Sequence, residues 1–356
     1  MPTVSALVPL PAQPAGVPWP TSEWPAAVPP ASVDRDQLDR LLDTTFSDPQ
    51  PPTTVQTNDM LVVHRGRIVA ERYAGDFGPD DLQLSWSMAK SMLHAAVGVL
   101  VRDGRLDVSR PAAVPEWQEP GDPRAEITLD SLLHMTPGLR FNEDYVDEQV
   151  SDVIKMLFVP GTEDTAAFGA RFPLEHPPDT VSNYSSGTSN IISAIVKRIV
   201  GAGDEYLAFL RRELFEPIGM TTAEPKLDAS GTWIGSSYCD ATPRDFARFG
   251  LLYMRDGVWD GNRILPGGWV DYARTPAPAQ PRDVTDRGYG AHWWLLRDDD
   301  HGSFFASGYV GQMIMVVPGL DLIVVRNGNT PTERRQHVMK LVREIVRLFE
   351  HAKAAG

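Results

Sequence analysis

The sequence predicts an α+β fold: one sheet assembled from both ends of the chain, with a mainly helical lobe inserted between them. Three observations predict it. Strand-like apolar runs sit near the start and again near the end. Between them, from about 105 to 230, the pattern is helical and loop-like. At 356 residues the chain exceeds a single small core, so one large domain with a sizeable insertion, or two domains, is expected.

The elements follow in order. Residues 1–30 are proline-rich and include Trp19 and Trp24. Proline prevents a regular helix or central strand there, which leaves an extended arm or a tail; the tryptophans favour an arm packed on the body. Asp34 to Phe46 reads as a first helix. Met60–His64 and Arg67–Tyr73 read as a hairpin about Arg65-Gly66. An almost wholly apolar helix follows at 87–102 and stops at Arg102-Asp103-Gly104. Asp240 to Arg255 is amphipathic, with Phe246, Phe249, Leu251 and Leu252 apolar. Phe304–Ala306, Gln312–Val317 and Leu322–Val325 suit strands, and Pro318-Gly319 turns between the last two. Thr332 to His351 is a charged, amphipathic closing helix. The main domain is thus expected over 31–356, its sheet part drawn from about 31–110 and 230–356 and its helical lobe from about 110–230. No internal repeat is visible.

Composition narrows the function. A formal net charge of -14 argues against nucleic acid and anionic membranes as partners. Cys239 is the single cysteine, so neither an internal disulfide nor a cysteine-based zinc site is expected. No stretch is long and apolar enough to span a bilayer. The first thirty residues lack the basic start and apolar core of a signal peptide, so a cytoplasmic location is the expectation. His-Glu-x-x-His and Gly-x-Ser-x-Gly are both missing, which disfavours a zinc protease and an α/β-hydrolase. No metal or cofactor is expected.

The chemistry is written in Ser87-Met88-Ala89-Lys90, at the start of the apolar helix. A lysine in such a helix loses water, and its ammonium becomes easier to deprotonate. A serine three residues earlier shares its face and needs a neighbour to take its proton. The Ser87 N–H lies at a helix end, where donors are unpaired and can face a developing oxyanion. The plain alternative is a capping serine and a snorkelling lysine. A second element is Tyr184-Ser185-Ser186-Gly187. A phenol near a lysine ammonium has its pKa lowered and can accept the serine proton; the alternative is a tyrosine in a polar turn. A third is Ala306-Ser307-Gly308-Tyr309, where glycine lets the backbone approach a ligand and the Tyr309 N–H completes the oxyanion hole. The alternative there is a tight strand-entry turn. His94, one turn after Lys90, reads as a core histidine with a partner. Trp293-Trp294 reads as sheet core plus pocket wall.

In this order the three elements resemble the serine β-lactamase and penicillin-binding superfamily, whose Ser-x-x-Lys and third motifs they match in position. The tyrosine in second place brings the class C branch and its esterases closest. Further segments share the likeness: Thr128–Leu139, containing His134 and Gly138; Asp240–Gly250; and the Tyr289–Trp294 strand. Within the superfamily, Ser85–Ser91 and Met135–Asp147 resemble the 6-aminohexanoate-dimer (nylon-oligomer) hydrolase group. The resemblance covers about 55–350. It implies a β-lactamase-like antiparallel sheet flanked by helices, and a metal-free serine hydrolase acting on small linear amides or short-chain esters through an acyl-enzyme on Ser87. Lys90 and Tyr184 would share the proton transfers, and Ser87 and Tyr309 N–H groups would hold the oxyanion.

The same likeness implies substrate contacts from Tyr145, on the scissile amide nitrogen, and from Ser186, Asp240, Ser307 and Gly308. Tyr145 also reads as a surface tyrosine in an acidic loop with Glu143, Asp144 and Asp147. Two departures matter. Ala306 stands where the third motif has a lysine, which disfavours efficient β-lactam turnover. Ser186 replaces an asparagine. A carboxylesterase, a weak β-lactamase or D-amino-acid peptidase, and a ligand sensor that acylates without turnover stay open, as does a homodimer.

Overall fold

Side-chain alternation sorts the strand residues onto two faces, and a helical layer covers each. The structure, a computed structural model, describes residues 7–46, 56–147, 149–282 and 284–354. Seven strands form the main sheet: β1 (Thr57–His64), β2 (Arg67–Tyr73), β3 (Arg287–Tyr289), β4 (Trp294–Leu296), β5 (Phe304–Ser307), β6 (Met313–Val317) and β7 (Leu322–Gly328). Their order is β2-β1-β7-β6-β5-β4-β3, with every pairing antiparallel. The sheet is therefore built from both ends of the chain, joined at β1 and β7, where Leu61 faces Val325.

Met60, Val62, Met315, Val324 and Phe305 pack against helices α1 (Arg35–Phe46) and the C-terminal helix. Leu61, Val63, Ile314, Val325 and Ala306 face the opposite, larger core. That core holds helix α2 (Met88–Arg102), in which every residue from Met88 to Leu100 is buried. It also holds α3 (Ser186–Val200) and α4 (Pro243–Met254). The C-terminal helix, α5, spans Arg335–Ala354. Between α2 and α4 the chain forms short helices at Leu129–Leu133, Asp152–Leu157, Thr165–Ala170 and Asp204–Leu210 around α3. Among the described residues no helix is long and apolar enough to cross a membrane.

The N-terminal segment from residue 7 runs without helix across the body, and residues 1–6 of the expected arm lie outside the described residues. The Ala27 N–H donates to Ile68 and the Ile68 N–H to Pro25, which extends the β2 edge. Trp19 packs on Trp259, and the Trp24 indole donates to the Arg244 carbonyl. The Arg248 guanidinium donates to the carbonyls of Pro20 and Ser22. One local expectation needs correcting. Tyr289–Trp294 is not a single strand but the turn of a hairpin between β3 and β4. A Cβ at Gly290 would collide with the Ala273 carbonyl, and His292 turns the chain at φ 56°.

Candidate active site

The start of α2 places Ser87 at a helix cap without using its hydroxyl as one. Its backbone is already helical (φ -65°), and the side chain makes no capping hydrogen bond. Trp86, just before it, takes a left-handed φ of 44°, a conformation that costs a bulky side chain strain. Its ring is held among Tyr238, Phe158 and Tyr309. Behind the turn, Asp240 accepts the Ser85 N–H at 3.2 Å and a 2.5 Å ion pair from Lys226.

Lys90 is 1% exposed, with its ammonium inside the protein. It donates to Ser87 Oγ at 3.2 Å, Ser186 Oγ at 3.0 Å and the Ser236 carbonyl at 2.9 Å. Burial lowers its pKa to about 8, and the nearby Glu143 carboxylate works in the opposite sense. Tyr184 lines the same cleft as Ser87, with its ring 4.8 Å from the Lys90 ammonium. The expected lowering of its pKa is overturned. Burial, then Glu143, pushes the phenol above its ordinary range, and contact with Ser87 only partly offsets this. A cation beside a ring face does not outweigh the loss of water around the phenolic oxygen.

The third segment closes the cleft opposite. Gly308 has no room for a side chain: a Cβ would sit 2.5 Å from the Ser85 carbonyl oxygen. This close approach brings the Tyr309 backbone beside Ser87, and both line one cleft of about 610 Å³. Neither the Ser87 nor the Tyr309 N–H has a backbone or side-chain acceptor among the described residues. Ser307 also faces the cleft, whereas Ala306 points into the core.

Sequence reasoning placed Glu143 only in an acidic loop and missed its partners. Its carboxylate accepts the Ser186 N–H at 2.7 Å, the Ser186 hydroxyl at 2.6 Å and the Tyr145 hydroxyl at 3.2 Å. An acid at the N-terminus of α3 is favoured by the helix dipole. Its position two residues before Tyr145 was the available signal. Two more cleft residues were also missed, Arg287 and Arg335; they depend on tertiary placement that no local pattern announces.

The remaining candidates divide. Tyr145 lines the cleft and stacks on Tyr309 with centroids 4.8 Å apart. Ser186 lies under the cleft with its hydroxyl committed to Lys90 and Glu143, so it positions rather than presents. Asp240 does not line the cleft; it braces the turn that carries Ser87. Trp294 forms a wall and stacks on Tyr184, while Trp293 is buried against Tyr253. His94 is a core residue paired with the Tyr253 hydroxyl at 2.7 Å. Among the described residues no group of histidine, cysteine, aspartate and glutamate could hold a metal ion.

A buried Ser-x-x-Lys, a tyrosine near the serine and, among the described residues, two unpaired backbone N–H groups on the same cleft sit on a seven-stranded antiparallel sheet. The beta-lactamase family model matches residues 58–347, and the chain belongs to that family. It is 27% identical over 307 residues to the 6-aminohexanoate-dimer hydrolase of Paenarthrobacter ureafaciens, covering 79% of this chain and 74% of the relative. Among solved structures it resembles a candidate 6-aminohexanoate-dimer hydrolase from Bacillus anthracis (TM-score 0.73, 20% identity, 94% and 88% of the two chains). It also resembles a penicillin-binding protein homologue from Caulobacter crescentus (TM-score 0.67, 18% identity, 93% and 99%). Family and relative together support a serine hydrolase.

Proposed function

We propose that this protein hydrolyses small linear amides of the 6-aminohexanoate-dimer kind, and short-chain esters, through an acyl-enzyme on Ser87. The observation that carries the reading is the Lys90 ammonium, buried, 3.2 Å from Ser87 Oγ and with its pKa lowered to about 8. A lysine near neutrality can take a proton; one at its ordinary pKa cannot.

The proton inventory then closes. Neutral Lys90 takes the Ser87 proton as Oγ bonds to the carbonyl carbon. The oxyanion settles on the Ser87 and Tyr309 N–H groups, worth ~3 kcal/mol per donor in comparable sites. Tyr184, held neutral by burial, gives its proton to the leaving nitrogen or oxygen as that bond breaks. The resulting phenolate beside the Lys90 ammonium then takes a proton from water, which attacks the acyl carbon. As the ester bond breaks, Lys90 returns its proton to Ser87 Oγ. Tyr184 thus serves first as acid and then as base.

Tyr145 supports the amide side of the reading, because it lines the cleft with its hydroxyl held by Glu143. Ala306 in place of a third-motif lysine weighs against β-lactams. The test compares p-nitrophenyl butyrate, 6-aminohexanoate dimer and nitrocefin on wild type and Ser87→Ala. Turnover of the first two, lost in the variant together with labelling by an active-site phosphonate, is the expected result. Full activity of Ser87→Ala would overturn the mechanism. A burst without turnover would favour a ligand sensor.

A further inference from the structure

His292 stands in the turn between β3 and β4 at φ 56°, a left-handed backbone that strains a side chain other than glycine. It is also buried, at 2% exposed. A glycine would hold the turn without strain, so the strain is offset by what the histidine touches. It touches three elements. Its backbone N–H and its ring Nδ1 both meet the Leu133 carbonyl, at 2.9 and 2.7 Å, at the end of the Leu129–Leu133 helix. Its ring Nε2 is 3.0 Å from Ser189 Oγ on α3. Its own carbonyl accepts the Ser91 hydroxyl of α2 at 2.8 Å.

These partners fix the proton. A backbone carbonyl only accepts, so Nδ1 carries the hydrogen and Nε2 is left as an acceptor. The Ser189 hydroxyl therefore donates to Nε2. The titratable groups around the ring are Lys90 and His94 on α2 and His134 just beyond Leu133. Burial pushes the His292 pKa down to about 3 against the pull of the Leu133 bond, and Lys90 and His134 act in the same sense as burial. The ring is thus neutral at neutral pH, and its one tautomer persists.

The two helices are gripped beside a single hydrogen bond. Ser91 directly follows Lys90 in α2. Ser189 lies three residues after Ser186 in α3, on the same face. Between Lys90 and Ser186 runs the 3.0 Å contact that, with Ser87 and Ser236, holds the ammonium. Two residues beyond Leu133, the Met135 carbonyl accepts the Asn183 N–H, next to Tyr184. We propose that His292 is a positioning residue for Lys90: by tying α2 to α3 it sets the distance from Lys90 to Ser186 and keeps water out of the space between them. With the tie loosened, the ammonium regains water, and its pKa climbs from about 8 back toward its ordinary 10.5.

The kinetic side of this inference rests on the hydrolase reading, and the experiment keeps the two apart. His292→Asn retains a residue that tolerates left-handed φ and an N–H in the place of Nδ1, but it no longer reaches Ser189. Ser189→Ala removes the same bond from the other side. Both are assayed with p-nitrophenyl butyrate, per site titrated by an active-site phosphonate, so that lost folded protein does not count. Each should lower kcat roughly tenfold with KM nearly unchanged, and move the acid limb of kcat/KM up by about half a pH unit or more. The double variant should be no worse than His292→Asn alone, because one bond cannot be lost twice. An unchanged kcat per site with an unmoved limb, a loss carried by KM alone, or losses that multiply in the double variant would each overturn the proposal. If His292→Asn does not fold, Ser189→Ala decides by its kcat and its limb. Should wild type show no turnover that Ser87→Ala abolishes, the hydrolase reading fails by itself. The NMR titration of the Lys90 ε-carbon, assigned with Lys90→Met, then decides: a higher midpoint in Ser189→Ala upholds the tie, and an unchanged midpoint overturns it.

Discussion

The floor and the wall of the cleft are held by different physics. The floor, Ser87 with Lys90, is part of a helix buried from Met88 to Leu100, so core packing fixes its atoms. The wall at residues 143–146 is hung on polar contacts: Glu143 on Ser186, Tyr145 on Glu143 and the Tyr309 ring, and Asn142 on Asp152. Packing holds a nucleophile at fixed geometry whatever the ligand. A few hydrogen bonds hold a side chain only as firmly as water fails to replace them. On the proposed function, chemistry is invested in the floor and selectivity in the wall.

The largest break in this contrast should come from Lys90→Met, which removes the base. We expect kcat/KM to fall ~10³-fold or more, within the range general-base losses reach together with disturbed positioning. The Tm at pH 7 should not fall, because a buried ammonium is replaced by an apolar chain of similar shape; a large Tm loss would show that Lys90 mainly holds the fold. Next, Tyr184→Phe should cost ~10²-fold or more, with amides hit harder than activated esters, whose leaving groups need no proton.

A pH profile sharpens the floor further. On the proposed mechanism neutral Lys90 is the active form, so kcat/KM should drop as pH falls below about 8. Between about 8 and its ordinary 10.5, the unfolded chain keeps a proton that the folded one has lost. Stability from this group therefore rises with pH across that window. Glu143→Gln should move the acid limb to lower pH, since its charge raises the Lys90 pKa, and should reduce activity ~10-fold as the wall loosens. An unmoved limb would detach Glu143 from the floor. Smallest of all, Tyr145→Phe should slow amide hydrolysis several-fold and leave ester hydrolysis nearly unchanged; equal losses would count against contact with the scissile nitrogen.

The same division explains what could be read from sequence. The hairpin at 57–73 and helix α2 are legible because burial writes itself as apolar periodicity. Ser87 and Lys90 are legible because both lie on one helical turn. The three-residue strands β3 and β4 are too short to show alternation, and only Gly290 and the turn after it separate them. Glu143 was visible as a charge but not as a partner, because Ser186 lies 43 positions away. Asp240 was drawn into the substrate site by likeness, while its carboxylate in fact braces the turn behind the nucleophile. Arg287 and Arg335 are brought together only by tertiary structure.

The join between β1 and β7 also sets the order in which this protein can come into being. Asn327 bonds to Asp59 across 268 positions of chain, between the second and third strands of the sheet. Contacts so distant in sequence form late, because the loop they close must first be ordered. On the ribosome, Ser87 and Lys90 emerge long before Tyr309, so a growing chain holds the first two without the third. On the proposed mechanism, reactivity therefore arrives only with the last strands, once the sheet has closed.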